Sequence, residues 1–367
     1  TLIGQGSYGR VYRAYDRTLC RTVALKVETG FSPSSALSNE ARILRNLTKE
    51  PSLQGFARFY HFSREGVCQL LVMELLGESL IDMLQQSAKG RLSLKSTVLA
   101  AEQMLLRIEY VHSRGIVHQD IKPDNFVFGT GGKQHHLCLI DFGLAKTYYG
   151  TSHVRMSHQR GMVGTARYAS LNAHRLLEQS RRDDLEALGY ALVYLLTGAL
   201  PWSGLKAESP SQKCNLVGEC KQSTALVDLC KGCPKALGLL ITHCRSLGFS
   251  ERPHYAYLRG LFRELRESLA EAQGAPIEDH DFEWNRGVSL RALEPIRWPA
   301  DDDDQWLQQP DYHHFCRRKR DVFLGCVGIG RGSISKPSSG IVVATAPAKA
   351  PCSCAGAAKN LEQGDSC

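Results

Sequence analysis

The 367 residues include 43% hydrophobic and 22% charged side chains, close to globular averages, which excludes a wholly disordered chain or a collagen-like fibre. A chain this long exceeds one compact domain, so two lobes and a tail are expected. With 45 basic and 37 acidic side chains the net charge is +8, a field that favours acidic or phosphorylated partners and requires no nucleic acid.

The 13 cysteines are odd in number and scattered singly, and no cleavable leader opens the chain. A reducing compartment with free thiols is expected, hence a cytoplasmic location. The chain opens at Thr1 in strand-like sequence without methionine, so its first strand is expected to be incomplete.

In chain order, strands are expected at Ile3, over Val11 to Ala14, Thr22 to Val27, Phe56 to Phe62, and Val67 to Leu75. One helix interrupts them. Leu37, Ala41, Leu44 and Leu47 share its inner face, with Ser34 and Ser35 as caps and Glu40 on the same face. From Ser79 the helical period dominates: Ala101, Met104, Leu105, Ile108, Val111 and His112 form an apolar stripe closed by Gly115. Two short strands, Phe126 to Phe128 and Leu137 to Ile140, flank the turn GTGGKQ. Ala187 to Trp202 reads as a core helix, too short and too rich in glycine for the roughly 20 residues of a membrane span. Beyond Asn285 the composition shifts to an acidic run at 301–304, a basic cluster at 317–320 and then Gly, Ser, Ala and Pro, read as a mostly disordered tail.

Three groups of residues carry chemistry. Gly4, Gly6 and Gly9 in GQGSYG let backbone amides approach phosphates, and the loop runs into a strand rather than the helix that follows a dinucleotide-binding loop. Lys26 closes VALK on a strand. Glu40, on the inward face of the helix, is costly to bury unless paired, and Lys26 is the cation in reach. The third group is HQDIKPDN, His118 to Asn125, followed by LIDFG, Leu139 to Gly143. Phosphoryl transfer needs a carboxylate for the hydroxyl proton, a cation near the γ-phosphate and oxygen ligands for Mg2+; Asp120, Lys122, Asn125 and Asp141 fill those roles.

These strings match the protein kinase pattern, and the details resemble the casein kinase I family over about Leu2 to Asn285: MELLGESL at 73–80, GTARYASLN at 164–172, EQSRRDDLEALGY at 178–190, LPWSGLKA at 200–207 and FEWN at 282–285. The resemblance implies an α+β bilobal kinase fold, with a small antiparallel-sheet lobe over 1–77 bearing one helix and a larger helical lobe over 78–285, followed by the tail at 286–367. It implies ATP and Mg2+ as cofactors, with nucleotide contacts from Ile3, Gly4, Gly6, Gly9, Val11, Ala24, Lys26, Glu40, the gatekeeper Met73, Glu74 and Leu76. Asn125 and Asp141 would hold the metal, and Thr165 would bridge Asp120 and Lys122. Asp184, in a helix starting DLEALG, would anchor the catalytic loop. Arg160, Arg181 and Lys231 would form an anion pocket selecting serine or threonine sites that are acidic or already phosphorylated nearby.

One departure stands inside the main string. Gln119 occupies the place where the resembled family usually has arginine; in other kinases that arginine meets a phosphorylated activation loop, so its loss argues against activation through that phosphate. The rival readings are a pseudokinase scaffold and a kinase of a neighbouring family with other specificity. The protein is expected to act as a monomer. CKGC at 230–233 has metal-like spacing but no second pair, so free thiols are expected. RRKR at 317–320 could address a nucleus, and Cys352, Cys354 and Cys367 could be lipidated.

Overall fold

The computed structural model describes residues 1–6, 9–30, 35–49, 54–150 and 152–285. The first part is a five-stranded antiparallel sheet built from β1 (Leu2–Gly6), β2 (Gly9–Asp16), β3 (Arg21–Thr29), β4 (Phe59–Glu65) and β5 (Cys68–Glu74), in the order β1-β2-β3-β5-β4. The register sets Lys26 opposite Val11 on one side and Leu71 on the other, and pairs Ala24 with Met73. The expected strand at Phe56 begins three residues later, because Phe56 makes only a single bridge to Leu139 and turns its ring into the core.

The helix α1 (Ala36–Leu47) interrupts this sheet and buries Leu37, Ala41, Ile43, Leu44 and Leu47. Its cap is Ser35, whose Oγ accepts from Ser38 N at 3.1 Å and donates to Gln69 Oε1 of β5 at 3.0 Å, so one side chain both starts the helix and fixes it to the sheet. Ser34, the other expected cap, lies outside the described residues.

The rest is mostly helical. It contains α2 (Leu80–Gln86), α3 (Leu94–Ser113), β6 (Ile116–Val117), β7 (Phe126–Phe128), β8 (Leu137–Leu139) and β9 (Lys146–Thr147). Then come α4 (Leu171–His174), α5 (Arg181–Thr197), α6 (Pro210–Ser223), α7 (Leu226–Leu229), α8 (Lys235–Ser246) and α9 (Tyr255–Gln273). As expected, α3 ends ahead of Gly115, which takes a φ of +73° where a side chain would strike the Tyr149 carbonyl. The core helix is α5, but it starts at Arg181 and stops at Thr197, before the expected Trp202. Gly198 closes it in the left-handed conformation, and Trp202 is buried beyond it in a turn with its indole N–H donating to Arg167 O.

Two short antiparallel pairs position the polar strings. β6 pairs with β9 and β7 with β8. The chain therefore leaves β6 as residues 118–125 to enter β7, and leaves β8 as residues 140–145 to enter β9. Both polar strings run between the same two strand pairs, which holds them side by side.

Among the described residues no helix is long and apolar enough to cross a membrane. The acidic run, RRKR, the three tail cysteines and the whole of 286–367 lie outside the described residues.

Candidate active site

Asp120 is buried at the centre of the first loop. Its Oδ1 accepts from the Thr165 amide at 2.9 Å and the Thr165 hydroxyl at 2.7 Å, and its Oδ2 lies 2.8 Å from Lys122 Nζ. Lys122 Nζ also donates to Thr165 Oγ1 at 3.1 Å, so this hydroxyl joins the two residues. Asn125 Nδ2 donates to the Asp120 carbonyl oxygen at 2.8 Å. Burial works against the Lys122 ammonium, but the charge and hydrogen bond of Asp120, together with Asp124 and Asp141, outweigh it and lift the lysine above its ordinary value.

The loop is held from beneath by Asp184. Its Oδ2 accepts from His118 N at 2.7 Å and faces His112 Nε2 at 2.9 Å, while its Oδ1 accepts from Gln119 N at 2.8 Å. Asp184 belongs to the first turns of α5 rather than to its start, since the helix opens at Arg181. Gln119 has a φ of +67° and Asp141 one of +64°, conformations costly for residues with a side chain and retained where surrounding contacts over-determine them. Gln119 Nε2 is buried and has no hydrogen-bond partner among the described residues. Gly164 makes the crowding possible: a Cβ there would stand 2.3 Å from the Gln119 carbonyl oxygen.

Across the cleft, Lys26 Nζ lies 2.7 Å from Glu40 Oε2 and 3.0 Å from Asp141 Oδ1, joining β3, α1 and the second loop. Burial disfavours the Lys26 ammonium, yet Glu40 and Asp141 outweigh that effect and raise its pKa. For Asp141, burial pushes upward, but the Lys26 charge and hydrogen bond, with His118 and Lys122, together prevail, so the carboxyl is held below its ordinary range and ionised. Asn39, which carries no motif signal in the sequence, fastens the same loop. Its Nδ2 donates to Ala145 O at 2.8 Å, with Phe142 O and Gly143 O at 3.3 and 3.4 Å. Its place beside Glu40 was the available signal, but its partners stand more than a hundred residues away.

Gly4 and Gly6 sit on β1 and Gly9 opens β2, while Ser7 and Tyr8 between them lie outside the described residues. Gly9 has a φ of +134°, and a Cβ there would stand 2.3 Å from Val27 O, so the turn back over β3 demands glycine. Ile3 is exposed, Val11 half-buried, and Ala24 and Met73 buried on neighbouring strands. Glu74 ends β5, its carboxylate accepting from Arg58 N at 3.1 Å; Leu76 follows half-buried, and Gly77 N donates to Phe128 O at 2.7 Å.

Of the basic trio, Arg160 and Lys231 are exposed, whereas Arg181 donates to Ser250 O at 2.6 Å and packs over the Tyr148 ring at 4.9 Å. They come from the stretch before Thr165, the turn after α7 and the first turn of α5, and among the described residues no interaction ties one to another. Cys230 and Cys233 are free thiols. Lys221 of α6 likewise has no motif to mark it: it is buried and donates to Ala166 O at 2.7 Å and Ala169 O at 2.6 Å, securing the backbone just beyond Thr165.

The arrangement gathers three carboxylates, two ammonium groups and an amide around one cleft beneath a glycine-bearing hairpin. The sequence independently matches a family model, that of the protein kinase domain, over residues 1–256. Matched over more than half its length, with that cleft in place, the chain belongs to the protein kinase family, whose domain transfers phosphoryl groups to protein.

Proposed function

We propose that the chain is a serine/threonine kinase similar to casein kinase I, acting on sites that are acidic or already phosphorylated nearby. The observation that carries this reading is the clasp of Thr165, Lys122 and Asn125 around Asp120, which fixes a carboxylate at the floor of the cleft. So held, Asp120 orients the substrate hydroxyl and accepts its proton. Lys122 offsets charge on the γ-phosphate, and Lys26, kept charged by Glu40 and Asp141, binds the α- and β-phosphates.

The donor set suits magnesium. Asp141 is an ionised carboxylate, and Asn125, with its Nδ2 given to Asp120, keeps its amide oxygen for a cation. Two hard oxygens are enough for an ion that completes its shell with phosphates and water. Bound ATP would supply the phosphoryl group, and Mg2+ held by Asn125 and Asp141 would supply the positive charge that offsets the charge of its oxygens. Ile3, Val11, Ala24, Met73, Glu74 and Leu76 would enclose the adenine, and the glycine-bearing hairpin would exclude water from the phosphates.

The preference for acidic sites rests on Arg160, Arg181 and Lys231, whose charges suit an anionic substrate residue about three positions before the target. The test offers ATP, Mg2+ and paired serine peptides, one with phosphoserine or aspartate upstream and one basic. Transfer to the acidic peptides, reduced roughly 10²- to 10⁴-fold by Asp120→Asn with nucleotide affinity retained, is the expected result. Transfer to basic or tyrosine peptides instead points to another kinase group. Incorporation no higher than in Asp120→Asn supports the scaffold reading, which the left-handed Gln119 favours, its Nε2 lacking a partner among the described residues.

A further inference from the structure

Beyond the cleft, three side chains that the mechanism does not use converge. Cys214 Sγ lies 3.2 Å from Met162 Sδ and 3.7 Å from His174 Nδ1. Met162 comes from the stretch before Thr165, His174 ends α4, and Cys214 lies in the first half of α6. All three are half-buried, so solvent reaches the cluster. Among the described residues no group of three His, Cys, Asp or Glu side chains could hold a metal; this trio instead owes its third donor to a thioether.

We propose that Met162, Cys214 and His174 form a binding site for a soft monovalent cation, copper(I). Metal bonds run about 2.3 Å to sulfur and about 2.0 Å to imidazole nitrogen, so two bonds to one ion span at most about 4.6 Å between sulfurs and about 4.3 Å between sulfur and nitrogen. Both observed separations fall within those limits. Thiolate and thioether sulfur select copper(I) over the hard cations that oxygen donors prefer, and imidazole is compatible with it.

The surroundings of His174 support the role. Its Nε2 lies 3.2 Å from the Ala166 carbonyl oxygen and 3.2 Å from Lys221 Nζ. With the ring proton on Nε2 and directed at the Ala166 carbonyl in place of the Lys221 donor, the Nδ1 lone pair is free for the ion, and that outer hydrogen bond orients the ring as it commonly does in ligating histidines. Space is kept by Gly218 of α6, where a Cβ would stand 3.0 Å from Nδ1. His174 and Gly218 also line an open cleft of about 560 Å³ between α4 and α6, which gives an ion a route inward. On binding, the Cys214 S–H bond breaks, a sulfur–copper bond forms and the proton leaves to solvent; no electron is transferred. The bound ion ties α6 to the stretch three residues before Thr165.

The test loads the full chain anaerobically with copper(I) against a chromophoric copper(I) chelator and compares it with Met162→Leu, Cys214→Ser and a control, Cys230→Ser. The expected result is that the first two each retain one copper fewer per chain and Cys230→Ser loses none, with X-ray absorption reporting mixed sulfur and nitrogen ligation. Met162→Leu conserves core volume and keeps the test open if Cys214→Ser folds poorly. Equal retention in all four proteins, loss of the same equivalent in Cys230→Ser, or displacement of the copper by equimolar zinc would overturn the assignment.

Discussion

Asp184 is a buried carboxylate whose neighbours are N–H donors: the backbone amides of His118 and Gln119 and the ring of His112. Burial alone would raise its pKa, but the His112 hydrogen bond and the other donors prevail and hold it below the ordinary value. A carboxyl depressed in the folded state stabilises the fold above its unfolded pKa, and that contribution fades as the pH falls through the folded pKa. Asp184→Asn is therefore expected to cost roughly 1–3 kcal/mol at pH 7, because it leaves a buried N–H without an acceptor. In urea titrations at successively lower pH, the gap between wild type and variant should narrow below about pH 4. A gap that is constant with pH would contradict the depressed carboxyl. At the same scale, Gly9 and Gly164 each permit a backbone approach that any side chain would block.

Among the elements, α5 carries the most constraint. It supplies Asp184 near its start and runs against α8, where Gly189 allows the close approach: a Cβ there would stand 2.5 Å from Ile241 Cγ1. Both positions are fully buried in a packed interior, so neither chain can simply move aside. Gly189→Ala is expected to destabilise the protein by about 1–3 kcal/mol through overpacking. Ile241→Ala should relieve part of that cost, so the double variant should be more stable than the sum of the single effects allows; strictly additive denaturation midpoints would count against the packing argument. Helix α1 acts differently: Glu40 and Asn39, adjacent in sequence, grip Lys26 and the loop after Asp141 respectively.

For the whole molecule, the family match ends at residue 256, but the packed structure does not. Helix α9 buries Leu258 and Phe262, and Phe282 is buried beyond it, stacked on Trp284 and edge-on to Phe128 of β7. Arg266 of α9 pairs with Glu102 of α3 at 2.9 Å, and Glu283 accepts from Ser93 N at the start of α3. The packed unit therefore extends past residue 256, at least to Asn285. A chain ending at 285 should melt cooperatively, whereas one ending at 256 should be insoluble or lack a cooperative transition, since it exposes the face of α3 that α9 covers. Equal melting of both fragments would refute that extension of the packed unit.

The residues of the cleft are largely legible in the sequence itself. HQDIKPDN and LIDFG are contiguous loops, where one fixed backbone path sets the relations among neighbours, and the cost of burying Glu40 alone predicts its union with Lys26. The α+β division follows equally from period two giving way to the helical period. What distance along the chain hides was left to tertiary structure: Asn39 reaching across to Ala145, Lys221 beneath Ala166 and Ala169, and Cys214 meeting Met162 and His174. Strand and helix ends belong there too, because the ring of Phe56 and the indole of Trp202 gained more from burial than from continuing a ladder or a helix. Local pattern records which residue types can act together, whereas only packing decides which distant polar groups satisfy one another.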